Sequence, residues 1–196
     1  MGKALGILSV LAVGVVALFA YRSYNGLVER DEAVSTAWGQ VQNVYQRRAD
    51  LIPNLVETVR GAAEFERETL EGVIEARAKA TQVTFADTPN AEEMRQFQAA
   101  QGELSTALGR LLVVVEQYPE LKATEAFRDL QAQLEGTENR ISVERMRFNE
   151  VAQTYNTFRR RFPTALFAGA FGFEARSYFE AAPGAEQAPR VDLTRS

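Results

Sequence analysis

Behind an apolar N-terminal stretch, apolar or aromatic residues recur at alternating steps of three and four: Leu27, Val34, Trp38, Val41, Tyr45, Ile52, Leu55, Val59, Ala62, Phe65, Leu70 and Val73. Such spacing lines one face of a helix, close to the 3.5-residue repeat of packed bundles. The stripe keeps its phase through Pro53, and no Gly or Asn-Gly signal stands there to mark a tight reversal. The pattern therefore predicts a kinked continuous helix, or two nearly collinear ones with Asp50 capping the second. This first region ends near Thr81.

Two further regions follow. Thr88 is placed to cap a helix with Pro89 at its first position, and Met94, Phe97, Gln101, Leu104, Leu108, Leu111, Val115 and Tyr118 then repeat at steps of three and four up to Pro119. The third run, Phe127, Leu130, Leu134, Thr137, Ile141, Glu144, Phe148, Val151, Tyr155, Phe158 and Phe162, is the most regular. Strand-like alternation nowhere persists. The expected fold is all-α: an N-terminal transmembrane helix (residues 1–25), an antiparallel up-and-down bundle of three to four long helices (26–180) and a disordered tail (181–196).

Helix lengths raise a question about cover. A continuous helix from Leu27 to Thr81 extends about 80 Å, whereas Pro89–Tyr118 returns only about 45 Å. The stripe around Leu27, Val34, Trp38 and Val41 is thus either an association surface between copies of the chain, or is covered by the Glu120–Phe162 helix or the segment after Pro163. Thr164–Phe173, uncharged and carrying Phe167, Phe171 and Phe173, reads as a turn and short helix docked on the bundle, with membrane-surface contact or a partner groove as the alternatives.

From Ala4 to Ala20 there is no charged residue, and Arg22 is the sole ionic group up to Tyr24. A helix over Ala4–Tyr24 covers roughly 31 Å, about one hydrocarbon core. Leu5, Leu8, Leu11, Val15 and Phe19 form the anchor, with Tyr21 and Tyr24 suited to an aromatic belt and Arg22 to snorkelling. Leu18 and Ala20 make a poor small-x-small cleavage site, so the segment reads as an uncleaved span rather than a signal peptide. Lys3 and the α-amine nearly balance Arg22 and Arg30; the orientation taken places the bundle outside the cytoplasm.

Composition narrows the function classes. At 46% hydrophobic and 24% charged the 196-residue chain is globular in character, and its net charge of −4 argues against general nucleic-acid binding. Cysteine and histidine are both absent, which removes thiol chemistry, the usual zinc sites and any Ser-His or Cys-His pair. Glu64, Glu66, Glu68 and Glu71 lack the Glu-x-x-His partner of a di-iron bundle, and no Ser-x-x-Lys or glycine-rich phosphate loop occurs. No catalytic, cofactor-binding or metal-ligating residue is assigned, and no small-molecule substrate is evident. The polar residues Thr137 and Glu144 interrupt an apolar stripe, while Arg47, Arg48 and Asp50 flank Pro53. An Arg–carboxylate contact between helices is expected from them, as a register pair or as a binding hot spot.

Four blocks carry a resemblance: WGQVQNVYQRRADLIPNLVETVRG (38–61), FERETLEGVIEARA (65–78), YPELKATEAFRDLQAQLEGTENRI (118–141) and FNEVAQTYNTFRRRFPTALFAGAFGFEARSYFE (148–180). Together they resemble the LemA family over nearly the whole chain. The resemblance implies a bacterial single-pass membrane protein with a four-helix up-and-down bundle, no established enzymatic activity and no cofactor. Pro53 or Gly136 is then the candidate for the extra helix break. Some relatives are linked to membrane-compartment formation in magnetic bacteria, and others sit near membrane-protease or stress genes. Relatives often carry Tyr-Asn twice near the end, where this chain has Phe148-Asn149 and Tyr155-Asn156. The functional expectation is a non-enzymatic, self-associating scaffold in the bacterial inner membrane, with membrane lipid as a partner. The alternative is an adaptor that presents the Arg47–Asn54 segment or the Thr164–Phe173 run to another membrane protein.

Overall fold

A computed structural model describes residues 2–61 and 66–180. The expected tail, Ala62 and Phe65 of the stripe, and the side chains of Ala4 and Leu5 lie outside that description. Six helices and no strand occur among the described residues. They are α1 (Gly2–Arg60), α2 (Arg67–Gln82), α3 (Ala91–Val115), α4 (Pro119–Lys122), α5 (Glu125–Arg160) and α6 (Thr164–Ala168).

Helix α1 runs unbroken through Pro53. Proline lacks the amide that would bond the carbonyl four residues earlier, so Ala49 O loses its helical partner. In the fold Arg77 Nε, from α2, donates to Ala49 O at 2.8 Å. A tertiary donor thus replaces the missing backbone one.

The chain reverses after Gly61, not at Pro53 and not at Gly136, which lies inside the continuous α5. This corrects both candidate break points and the 80 Å first helix. Helix α2 runs back along α1, with Val73 in one core with Val59 and Arg77 against Ala49. A second shift occurs at α3: Asn90, not Thr88, is the cap. Its Oδ1 accepts from the amides of Glu92 and Glu93 at 2.9 and 3.0 Å, while Glu93 accepts from Asn90 N at 2.9 Å. Thr124 caps α5 by accepting from Phe127 N. The long helices α1, α2, α3 and α5 therefore form the up-down-up-down bundle.

Their unequal lengths divide the core in two. At 16 residues, α2 spans about 24 Å, against about 54 Å for the 36-residue α5. In the half distant from the N-terminus, α2 packs with α1, α3 and α5 around Leu55, Val59, Val73, Leu104 and Leu111. In the nearer half, where α2 does not reach, the cluster of Leu27, Val34, Trp38, Val41, Phe97 and Phe148 is completed by Ala168 and Phe179. Residues 173–180 run there as an extended strap.

The N-terminal third of α1 is of another kind. Its apolar side chains from Ile7 to Phe19 stand exposed on every side, Leu8 at 66% and Leu11 at 61%. An apolar helix bare all round is unfavourable in water and at rest in hydrocarbon, and α1 is long and apolar enough to cross a membrane. The protein is membrane-associated. No loop separates this segment from the bundle, because both belong to one helix.

Candidate functional site

Arg48 is the most buried charge among the described residues, at 2% exposure. Helix periodicity turns it inward beside Tyr45 and Ile52, between the two halves of the core. Its guanidinium donates to Ser105 Oγ at 3.0 Å, to Glu138 Oε2 at 3.1 Å, to Gln101 O at 3.3 Å and to Gln101 Oε1. Gln101 in turn donates to Ala80 O, so one side chain gathers α1, α2, α3 and α5. Among the described residues, Arg48 Nε has no partner. An Arg–carboxylate contact between helices is made here by Arg48, but with Glu138 rather than with the expected Glu144 or Asp50.

A cleft of about 450 Å³ opens beside this node, lined in part by Tyr45, Arg48, Arg95, Glu138, Arg145 and Glu180. Burial holds the Tyr45 hydroxyl above its ordinary pKa, against the opposing pull of Arg145 and Arg48. Ser105 Oγ accepts from Arg48 and donates to Gln101 O at 3.1 Å, so its hydroxyl is engaged. A neighbouring groove of about 290 Å³ lies between α3 and α5, with Leu108, Gly109, Leu112 and Leu134 in its wall and Arg48 and Glu138 at its head.

The other residues singled out from the sequence separate from this node. Arg47 is exposed, and Asp50, also exposed, accepts from Gln46 Nε2 at 2.7 Å within α1 rather than capping a second helix. Val34, Trp38 and Val41 are in the core at 1% exposure or less. The stripe is therefore not an open association surface, because α5 and the strap cover it. Thr137 is buried and donates to Gln133 O, while Glu144 Oε2 is buried and has no partner among the described residues. Phe171 and Phe173 meet the Tyr24 ring edge-on at 5.3 and 5.8 Å, and Phe167 stacks on Phe171 at 6.1 Å. The expected anchor positions Leu8, Leu11, Val15, Phe19, Tyr21 and Tyr24 are all exposed along α1.

Sequence reasoning did not find how the strap is held. Asn149 Nδ2 donates to Phe179 O at 2.9 Å and its Oδ1 accepts from Phe179 N at 2.8 Å. Asn156 repeats the arrangement on Arg176, at 2.8 and 2.9 Å. Each carboxamide thus imitates a strand partner for an otherwise unpaired backbone. Tyr155 donates its hydroxyl to Glu174 O at 2.7 Å, and Phe148, without one, packs against Trp38 and Phe179 instead. Burial first, and the Asp31 carboxylate second, raise the Tyr155 pKa. Arg176 closes the strap on α1 by donating through Nε and Nη2 to Asp31 Oδ1 at 2.9 and 2.6 Å. The available signal was the aromatic-Asn pair repeated seven residues apart, two turns along one face of α5.

The LemA family model matches residues 37–193. The chain is similar to the magnetosome protein MamQ 2 of Paramagnetospirillum magneticum, 26% identical over 93% of this chain and 74% of that protein. It is similar also to magnetosome protein MamQ of Magnetospirillum gryphiswaldense, 26% identical over 90% of the chain and 73% of the relative. Protein LemA of Metamycoplasma hominis is 22% identical over 76% of the chain and 64% of its own length.

Proposed function

The chain belongs to the LemA family, and from that premise we propose that it is a non-enzymatic, single-pass scaffold of the bacterial inner membrane that self-associates and organises the membrane around it. The observation that carries this reading is the continuity of α1 from exposed apolar segment to buried core. A bundle joined to its anchor without a flexible linker keeps a fixed attitude to the bilayer, as a spacer or organiser needs. The names of the magnetosome relatives agree with a task at a membrane compartment. Because the Trp38 stripe is internal, self-association would run through the lipid-facing part of α1 or the outer faces of the bundle. We place the bundle outside the cytoplasm.

Mass measurement and crosslinking of the full chain in lipid nanodiscs test the scaffold. Oligomers that persist at membrane-like density are expected; monomers alone would reject self-association.

A second reading is favoured by the groove between α3 and α5. Its apolar wall with an Arg and a Glu at one end suits an amphipathic helix of another membrane protein. Leu112→Glu should then release one specific partner from a pull-down while the helical content stays unchanged. An unchanged partner list would remove this adaptor reading.

A further inference from the structure

The end of α5 and the turn into α6 expose an apolar corner beside the anchor. Phe162 is 82% and Leu166 67% exposed, and Phe171 after α6 is 39% exposed. Large apolar side chains are seldom left bare in this way unless they meet another phase.

Contacts fix the height of the corner along α1. A Cβ on Gly26 would lie 2.6 Å from the tip of the Phe158 ring, so that side chain of α5 lies against α1 at the Gly26 level. Because α5 runs antiparallel to α1 and ends at Arg160, two residues past Phe158, the turn that carries Phe162 starts on the N-terminal side of the Gly26 level. Phe171 and Phe173 against Tyr24, and the burial of Ser23, place the α6 turn at the same level. This is where the uncharged run of α1 ends.

The charge at this corner is one-sided. Arg22, Arg160 and Arg161 are exposed, and Arg159, half-buried, donates to Phe173 O at 2.8 Å. Glu174 is the carboxylate on the same stretch, and Arg30 is balanced by Glu29 at 3.9 Å. Apolar side chains bordered by guanidinium groups match the boundary between acyl chains and anionic headgroups.

We propose that Phe162, Leu166 and Phe171, with Arg160 and Arg161, form a second membrane contact: a foot that enters the interface of an anionic bilayer next to the α1 anchor. The proposal rests on the reading of α1 as membrane-inserted. Two contacts side by side, one spanning and one interfacial, stop the bundle from tilting or swivelling about α1.

The test uses the full chain in phosphatidylethanolamine–phosphatidylglycerol vesicles of two kinds, with bromine on the acyl chains near the headgroups, to reach the foot, or near the chain ends, to reach the anchor. Three variants each add one indole to the native Trp38: Leu11→Trp in the anchor, Phe162→Trp in the foot and Val143→Trp on the exposed side of α5. Bromine should quench the indoles added by Leu11→Trp and Phe162→Trp at least twofold, and leave the Val143→Trp indole unaffected. Adding Arg160→Gln and Arg161→Gln to Phe162→Trp should reduce its quenching; no reduction would overturn the headgroup component. If Leu11→Trp is quenched while Phe162→Trp behaves as Val143→Trp does, the foot is overturned and the anchor stands. If Leu11→Trp is not quenched, anchor and foot both fall. Blue-shifted but unquenched emission from Phe162→Trp would assign the corner to a second copy of the chain and overturn the lipid assignment.

Discussion

Arg48 shows how one side chain decides its neighbours. Its burial is tolerated because Ser105, Gln101 and Glu138 receive its protons, and these groups would be left facing a cavity if it were shortened. Arg48→Ala is expected to cost about 3 kcal/mol in denaturant unfolding of the detergent-solubilised chain. Glu138→Gln should cost under about 1 kcal/mol, because the Glu138 side chain is 54% exposed and water replaces what the pair loses. Equal losses would contradict the buried-cation account. The sequence carried the expectation of an inter-helix Arg–carboxylate pair but not its members, since Arg47 and Arg48 are adjacent and only the packed phase of α1 selects between them. The two buried phenols make a separate test. Their raised pKa values mean that the neutral forms stabilise the fold below the ordinary tyrosine range, and this contribution is lost as pH rises through the raised values. An absorbance titration of the folded chain should therefore show Tyr45 and Tyr155 ionising after the exposed tyrosines, with Tyr45→Phe removing one late step and reducing the alkaline loss of stability.

At the scale of elements, the stripe that made the helices legible also concealed a turn. Leu70 and Val73 carry the apolar pattern on past Val59, because α2 presents its own apolar face to the same core after reversing. Periodicity records which face is apolar but not which way the chain runs. Gly61 was the local sign of reversal, whereas, as the unbroken phase of the stripe predicted, α1 continues through Pro53. Its continuity depends on Arg77, which supplies Ala49 O with the hydrogen bond that proline withholds. The two residues should therefore be coupled. Arg77→Met alone is expected to destabilise the bundle by about 1–2 kcal/mol, by leaving the Ala49 carbonyl unpaired. In a Pro53→Ala background, where the amide restored by the substitution can complete the helix, the same change should cost less than half as much. Strict additivity across this double-mutant cycle in chemical denaturation would refute the compensation.

For the whole molecule, the consequence of a short α2 is that four helices complete only one half of the core. The half beside the membrane is finished by α6 and an extended strap, which has no periodicity to read and is held by two asparagines on α5 rather than by an apolar stripe. That is why the sequence showed a stripe in want of cover without showing its cover. The same dependence links folding to assembly, since the strap stands between Trp38, Phe97 and Phe148 and any second chain. Asn156→Ala removes both carboxamide bonds to Arg176 and should loosen the strap by about 1–2 kcal/mol, detected as faster proteolysis at Arg176 with the helical circular dichroism retained. Ending the chain at Gly172 goes further, removing Phe179 and with it the lid over the aromatic cluster. Emission from Trp38 should then move to longer wavelength, and the detergent-solubilised truncated chain should form larger assemblies than the full-length chain does, through the bared stripe, with the distal core still folded. A truncated chain with the same number of subunits per assembly as the full-length chain, and with unchanged Trp38 emission, would mean that the helices alone seal this half, and that the strap has no part in keeping the stripe from other copies.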